Sequence, residues 1–311
     1  MRRPNMIIIG APKTGTTSLH YYLSQHPEIY MSDDKEPHYF CSDLHEENDA
    51  FFKFNKYFRY RDEEKYMSIF AEAKKEKIVG EASTTYIYSK VAAKKMHAFD
   101  PKMKIIAIIR DPLDLAYSWY NYLKFLTHET AETFQEALDL EQSRKQDYSR
   151  IPDCVLYPTS IFYSEVVDFN NNLRRFTDLF SEEQCKFILY DDLKENVDQV
   201  YKDVLRFLDV DETFNADYSM KNVSGGARFK GVKEKVDNMS FAFRQKFYQY
   251  RNTPILKKAK EAYNSVFVKE GEKTYLSEME RKAAQKRFKT QVEATAEILN
   301  VDLINKWNYT S

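Results

Sequence analysis

The sequence predicts an α/β fold, with a central parallel sheet, helices on both faces and a helical C-terminal extension. Two observations carry this reading. Short apolar, β-branched runs near residues 6–9, 78–79, 104–109 and 187–190 alternate with longer segments of helical spacing. The run at 6–9 is apolar and β-branched, as a strand covered on both faces is, and 104–109 is the clearest strand in the chain. Glycine and proline number only 7 and 9 among 311 residues, so no flexible linker divides the chain. A single domain over 1–311 follows, with a core of about 6–210 and a helical part of about 235–311.

In chain order, the strand at 6–9 ends at Gly10, and 16–25 reads as a helix with Leu19, Tyr22 and Leu23 on one side. A helix is expected over 62–75, where Tyr66, Ile69 and Phe70 share a face. Ile78-Val79 is a short strand before Gly80-Glu81, and 89–98 a polar-faced helix. The strand at 104–109 precedes Arg110-Asp111-Pro112, and Pro112 suits the first turn of a helix over about 113–126. Further helices are expected at 131–146, 160–179 and 196–208, and a strand at 187–190.

Composition excludes several classes. The chain is 43% hydrophobic and 31% charged, which is globular, and its net charge of −1 argues against a general nucleic-acid-binding surface. The three cysteines, Cys41, Cys154 and Cys185, are odd in number and widely spaced, so they read as thiols rather than a disulfide or zinc framework. No stretch reaches the roughly 18 apolar residues of a membrane span. The expectation is a cytoplasmic protein without a leader, although a luminal domain trimmed from a membrane-anchored parent would read the same way. The sequons at Asn222, Asn238 and Asn308 bear on that second case.

In an open parallel sheet, ligands bind beyond the carboxyl ends of the strands. That rule selects the loops after Ile9, Val79 and Ile109. Residues 10–18 read Gly-Ala-Pro-Lys-Thr-Gly-Thr-Thr-Ser between a strand and a helix. Two glycines permit a tight loop, the helix start offers unpaired N–H groups, and three hydroxyls follow, which makes an anion cradle of P-loop type. A nucleoside-triphosphate loop would read GxxxxGK[ST]. Here Thr16 stands where that lysine belongs, and the lysine comes earlier, at Lys13. A second signature, Arg110-Asp-Pro-Leu-Asp-Leu-Ala-Tyr-Ser118-Trp-Tyr120, sets an arginine at a strand end and a serine two turns into the next helix. Guanidinium grips phosphate through paired hydrogen bonds. The alternative is an arginine paired with Asp111.

Pro-Lys-Thr-Gly-Thr-Thr resembles the phosphosulfate loop of sulfotransferases that use 3′-phosphoadenosine-5′-phosphosulfate (PAPS), and RDPLDLAYSWY resembles their 3′-phosphate motif. The resemblance runs from about residue 6 to 210. It implies that Lys13 stabilises the leaving oxygen, that Thr14, Gly15, Thr16, Thr17 and Ser18 hold the 5′-phosphate, and that Arg110 and Ser118 hold the 3′-phosphate. The product would be adenosine 3′,5′-bisphosphate, with no metal required. Lys35-Glu36-Pro37-His38-Tyr39-Phe40 and Gly80-Glu81-Ala82 resemble the heparan-type carbohydrate branch more than the phenol and steroid branch. There Glu36 matches the base and His38 a histidine beside the reacting groups. Glu81 is a rival base, or else orients Lys13 or the acceptor. A surface pairing of Glu36 with Lys35 is the plainer alternative.

Two positions depart from the family pattern. Leu115 stands where many members have arginine, and Ala82 where several heparan-type members have a catalytic-site lysine. Arg228, Phe229 and Lys230, in a Gly-Gly loop, resemble the family's late basic loop that closes over the 3′-phosphate, with Phe229 against adenine, and a solvated basic turn is the plainer alternative. The acceptor would be a hydroxyl of a carbohydrate, or of a lipid or small secondary metabolite. A nucleotide kinase and a non-catalytic nucleotide-binding protein are the competing classes.

Overall fold

Alternation within the strands explains how one sheet carries two cores. In the computed structural model, which describes residues 2–219 and 275–309 and two short strands between them, Met6–Gly10 forms β1 with all five residues buried. Ile7 and Ile9 point into one apolar cluster, while Met6 and Ile8 point into the other, on the opposite face. The remaining strands are β2 (Ile29–Met31), β3 (Ile78–Ala82), β4 (Lys104–Ile109) and β5 (Cys185–Leu189). Their order is β2-β3-β1-β4-β5, and every pairing is parallel. Gly225–Ala227 (β6) and Val268–Glu270 (β7) pair antiparallel in a separate ribbon.

The helices are α1 (Thr16–Leu23), α2 (Ser42–Phe52), α3 (Glu63–Ser68), α4 (Ala92–Phe99), α5 (Pro112–Phe125), α6 (Phe134–Gln146), α7 (Tyr163–Val166), α8 (Phe169–Thr177), α9 (Tyr190–Glu195), α10 (Val197–Leu208), α11 (Glu278–Leu299) and α12 (Leu303–Lys306). α1 and α10 cover one face of the sheet through Leu19, Leu23, Tyr201 and Leu205. α2, α5, α8 and α11 cover the other, through residues such as Leu44, Leu113, Phe176 and Phe288.

Several expectations shift. The helix expected over 62–75 stops at Ser68, because Ile69 and Phe70 turn back onto Tyr66 and Met67 with N–H···O bonds of 3.3 and 3.1 Å. The helix expected over 160–179 is broken into a 3-10 turn, α7 and α8, and Asp168 caps α8 by accepting the Asn171 N–H at 3.2 Å. Neither β2 nor α2 was expected. β2 has three residues, and α2 buries Leu44, His45 and Asn48, so its inner face carries no apolar period. The strand read as Ile78-Val79 continues to Ala82, because Ile7 and Ile8 pair with Glu81 and Ala82. Glu81 therefore lies inside the sheet. Among the described residues no helix is long and apolar enough to cross a membrane.

The crossover from β3 to β4 passes β1, so the loops after all three strands open on one edge. The pairing of β1 with β4 slips between Ile8 and Gly10, which turns the chain out of the sheet. Gly10 has φ +142°, and a Cβ there would lie 2.8 Å from Ile87 Cγ2 and 3.0 Å from the Thr84 carbonyl. Gly10→Ala is expected to cost about 1–3 kcal/mol, measured as a lower urea midpoint. An unchanged midpoint would contradict the tight fit.

Candidate active site

The loop after β1 is bent for close approach. Gly15 caps α1 from the left-handed region at φ 86°, and Lys13, a non-glycine, is also left-handed at φ 62°. Thr14 is buried, and its hydroxyl donates to the Ala11 carbonyl at 2.7 Å, so that side chain holds the loop itself. The Ser18 and Leu19 N–H groups both donate to the Gly15 carbonyl, at 3.0 and 3.1 Å. This leaves Thr16 and Thr17, ahead of them, as the first-turn residues whose N–H groups the helix geometry does not pair. The Ser18 N–H is thus engaged within the first turn.

Arg110 follows β4 directly and reaches this loop. Its Nη1 donates to the Lys13 carbonyl at 3.2 Å, and its guanidinium carbon sits 4.8 Å from the centre of the Tyr190 ring. Lys13 Nζ lies 4.6 Å from the centre of the Tyr122 ring. Burial, and then the charge of Arg110, hold the Lys13 ammonium below its ordinary pKa. Among the described residues no carboxylate pairs with either cation. Ser118 stands one turn before Tyr122 on α5, on the same face, and is half-buried.

The alternative pairing of Arg110 with Asp111 does not form. Asp111 caps α5 by accepting the Leu113 N–H at 2.9 Å and also accepts the Tyr309 hydroxyl at 2.8 Å. Arg281 of α11 bridges Asp111 and Asp114. Burial and the neighbouring Asp114 raise the Asp111 pKa to about 6.

Glu36 and His38 lie on the loop after β2, both left-handed, at φ 61° and 58°. The Glu36 N–H donates to the Ala82 carbonyl at 2.9 Å, which ties this loop to the end of β3. Glu36 Oε1 accepts Lys35 Nζ at 2.9 Å, and Oε2 accepts the Thr84 N–H at 2.7 Å and its hydroxyl at 3.2 Å. The plainer Lys35 pairing does form, yet the other oxygen faces inward, and the side chain keeps 28% exposure. Burial pushes the Glu36 pKa up, but Lys35, His38 and the Thr84 N–H together pull it below its ordinary value. The carboxylate is therefore charged at neutral pH.

His38 is buried, and burial lowers its pKa to about 4, so it is neutral at pH 7. Its Nδ1 lies 2.8 Å from Thr85 Oγ1 and 3.7 Å from Glu36 Oε2, and its Nε2 lies 3.4 Å from the Tyr57 hydroxyl. Glu81 is fully buried on β3 under Tyr66 and Ser83, which donate at 3.4 and 3.0 Å. Burial raises its pKa to about 8, so it carries its proton at neutral pH.

The structure thus brings Lys13, Thr16, Thr17, Arg110 and Glu36 to one edge, with His38 behind Glu36 and Glu81 inside the sheet. Arg228, Phe229 and Lys230 lie outside the described residues. Sequence reasoning missed Tyr57, Tyr122, Tyr190, Thr84 and Thr85. Tyr122 could have been found, because it follows Ser118 at helical spacing. Tyr57 and Tyr190 come from other segments and carry no local signal. Among the described residues there is no cluster of three or more His, Cys, Asp or Glu that could hold a metal ion.

Comparison with known proteins gives a consistent picture. The profile of the sulfotransferase domain family matches residues 3–296. Human bifunctional heparan sulfate N-deacetylase/N-sulfotransferase 3 is 38% identical over 130 residues, covering 41% of this chain and 14% of that protein. Mouse bifunctional heparan sulfate N-deacetylase/N-sulfotransferase 4 is 30% identical over 218 residues, covering 68% of this chain and 23% of that protein. The chain therefore spans less than a quarter of the length of these relatives. The crystal structure of a sulfotransferase from Alicyclobacillus acidocaldarius is similar over 97% of this chain and 98% of that one, with a TM-score of 0.70 and 27% identity.

Between the ordinary value of 4.5 and the folded value of about 8, folded Glu81 holds a proton that the unfolded chain has lost. Its contribution to stability therefore falls as pH rises through that window. The urea midpoint of Glu81→Gln is expected to fall less than that of the unaltered protein between about pH 5 and about pH 8. Parallel curves would exclude the raised pKa.

Proposed function

Because the chain belongs to the sulfotransferase domain family, we propose that it transfers the sulfuryl group of PAPS to a carbohydrate hydroxyl or amine, with Glu36 as the base. One observation carries the reading. Lys13 and Arg110 converge beside a helix start, burial and then Arg110 depress the Lys13 pKa, and no described carboxylate relieves either charge. A ligand with anionic groups at two points would relieve both.

In this reading the first-turn N–H groups near Thr16 and Thr17 hold the 5′-phosphate, and Arg110 with Ser118 holds the 3′-phosphate. An acceptor oxygen or nitrogen attacks sulfur in line with the bridging oxygen. As the new bond forms, the bond from sulfur to the bridging oxygen breaks. Lys13 offsets the charge that grows on that oxygen, which leaves on adenosine 3′,5′-bisphosphate. The acceptor proton passes to Glu36, which is charged at neutral pH and partly exposed. Glu81, buried and protonated, suits a structural role beneath it, and neutral His38 suits orientation of the Glu36 loop.

The acceptor class rests on resemblance. Two relatives are named for heparan sulfate and for N-sulfotransferase activity, which favours a sugar and brings an amine into consideration. A lipid or small metabolite acceptor is the second reading.

Adenosine 3′,5′-bisphosphate without Mg²⁺ is expected to raise the melting temperature, and ATP with Mg²⁺ is not. Lys13→Ala and Arg110→Ala should each abolish that rise. Glu36→Gln should keep it while sulfate transfer falls by roughly 100-fold or more. Stabilisation by ATP with Mg²⁺ alone would point to the kinase class, and full activity in Glu36→Gln would move the base elsewhere. Radiolabelled PAPS offered with sugar, amino-sugar, lipid and phenol acceptors would identify the acceptor class.

A further inference from the structure

The segment that follows α11 reaches two supports of Arg110. Beyond the bond of its guanidinium to the Lys13 carbonyl, two further supports hold Arg110: its own backbone position directly after β4 and the Tyr190 ring against its guanidinium. Each support is followed directly by an acidic residue. Asp111 accepts the hydroxyl of Tyr309 at 2.8 Å. Asp191 accepts the indole N–H of Trp307 at 2.8 Å, and Asp192 pairs with Lys306 at 2.8 Å. Three residues out of four consecutive positions therefore bond to the two short stretches that carry Arg110 and Tyr190.

The segment is built to hold that pose. Trp307 and Tyr309 are buried, and Asn308 between them takes the left-handed conformation at φ 58°, which asparagine tolerates. The Trp307 and Tyr309 N–H groups donate back to the carbonyls of Leu303 and Ile304 at 2.9 and 2.8 Å. α11 anchors the segment through Ala284, Phe288 and Val292 in the same core as Leu113. Arg281 of α11 adds a contact to Asp111 and Asp114. Apolar packing alone would be served by phenylalanine, whereas here the polar tips of both aromatic residues find carboxylates beside the Arg110 supports.

We propose that residues 303–309 form a clasp that fixes the Arg110 guanidinium for the second phosphate of the nucleotide, with Tyr309 and Trp307 as positioning residues. The clasp rests on the reading of Arg110 as the 3′-phosphate ligand. It acts by pre-organisation, since an arginine fixed before binding loses less side-chain freedom on gripping phosphate. Its effect should be confined to ligands that carry the 3′-phosphate.

The test is calorimetry on the full chain with adenosine 3′,5′-bisphosphate and with adenosine 5′-monophosphate. Tyr309→Phe keeps the ring and removes only the hydroxyl. Asp191→Ala, at a half-buried position, removes the Trp307 acceptor and serves as the second variant. Each is expected to weaken the bisphosphate by about five-fold, as loss of one hydrogen bond does, with little change for the monophosphate. A general loss of structure would weaken both ligands together and overturn the clasp. An unchanged ratio in both variants, with the unaltered chain still preferring the bisphosphate, overturns it as well. No preference in the unaltered chain would instead overturn the reading of Arg110 itself, and the clasp with it.

Discussion

Two cations set side by side at the edge of a parallel sheet impose the main constraint on this molecule. Lys13 and Arg110 approach because the loop after β1 bends at Gly10 and Gly15 and because Arg110 spans to the Lys13 carbonyl. Like charges in a partly buried place oppose folding unless something offsets them. Here the offset within the protein is modest. The faces of Tyr122 and Tyr190 lie against the two charges, and no described carboxylate neutralises either. The neighbouring elements, α5, α9 and the segment beyond α11, brace these rings and the strand end.

Three carboxylates near that edge have three different fates, and environment decides each one. Glu36 is ionised because Lys35, His38 and the Thr84 N–H outweigh the penalty of burial. Among the described residues Glu81 has only hydroxyl partners, so burial prevails and it keeps its proton at neutral pH. Asp111 lies between these cases, with burial and Asp114 set against Tyr309, a backbone N–H and Arg281. Their pKa values are spread by desolvation and by the identity of the nearest donor.

The order of elements was legible because strand runs and glycine-bounded loops leave local marks. The run at 104–109 gave β4 at its observed bounds, and the spacing of Gly10 and Gly15 located the tight loop between β1 and α1. Errors came where burial is polar or where a break is made by capping. α2 buries His45 and Asn48, and α8 begins where Asp168 caps it. Tyr57 reaches His38 across 19 residues of chain, and no periodicity reports such a contact.

Sequence by itself therefore determined the fold class, the family and the residue types at the carboxyl edge of the sheet, because these depend on contiguous motifs and on backbone rules. Tertiary structure decided which carboxylate is charged, that Glu81 lies within a strand, and that Asp111 belongs to Tyr309 and Arg281 rather than to Arg110. Those outcomes depend on desolvation and on donors from distant segments. Neither quantity exists until the sheet has closed its two cores.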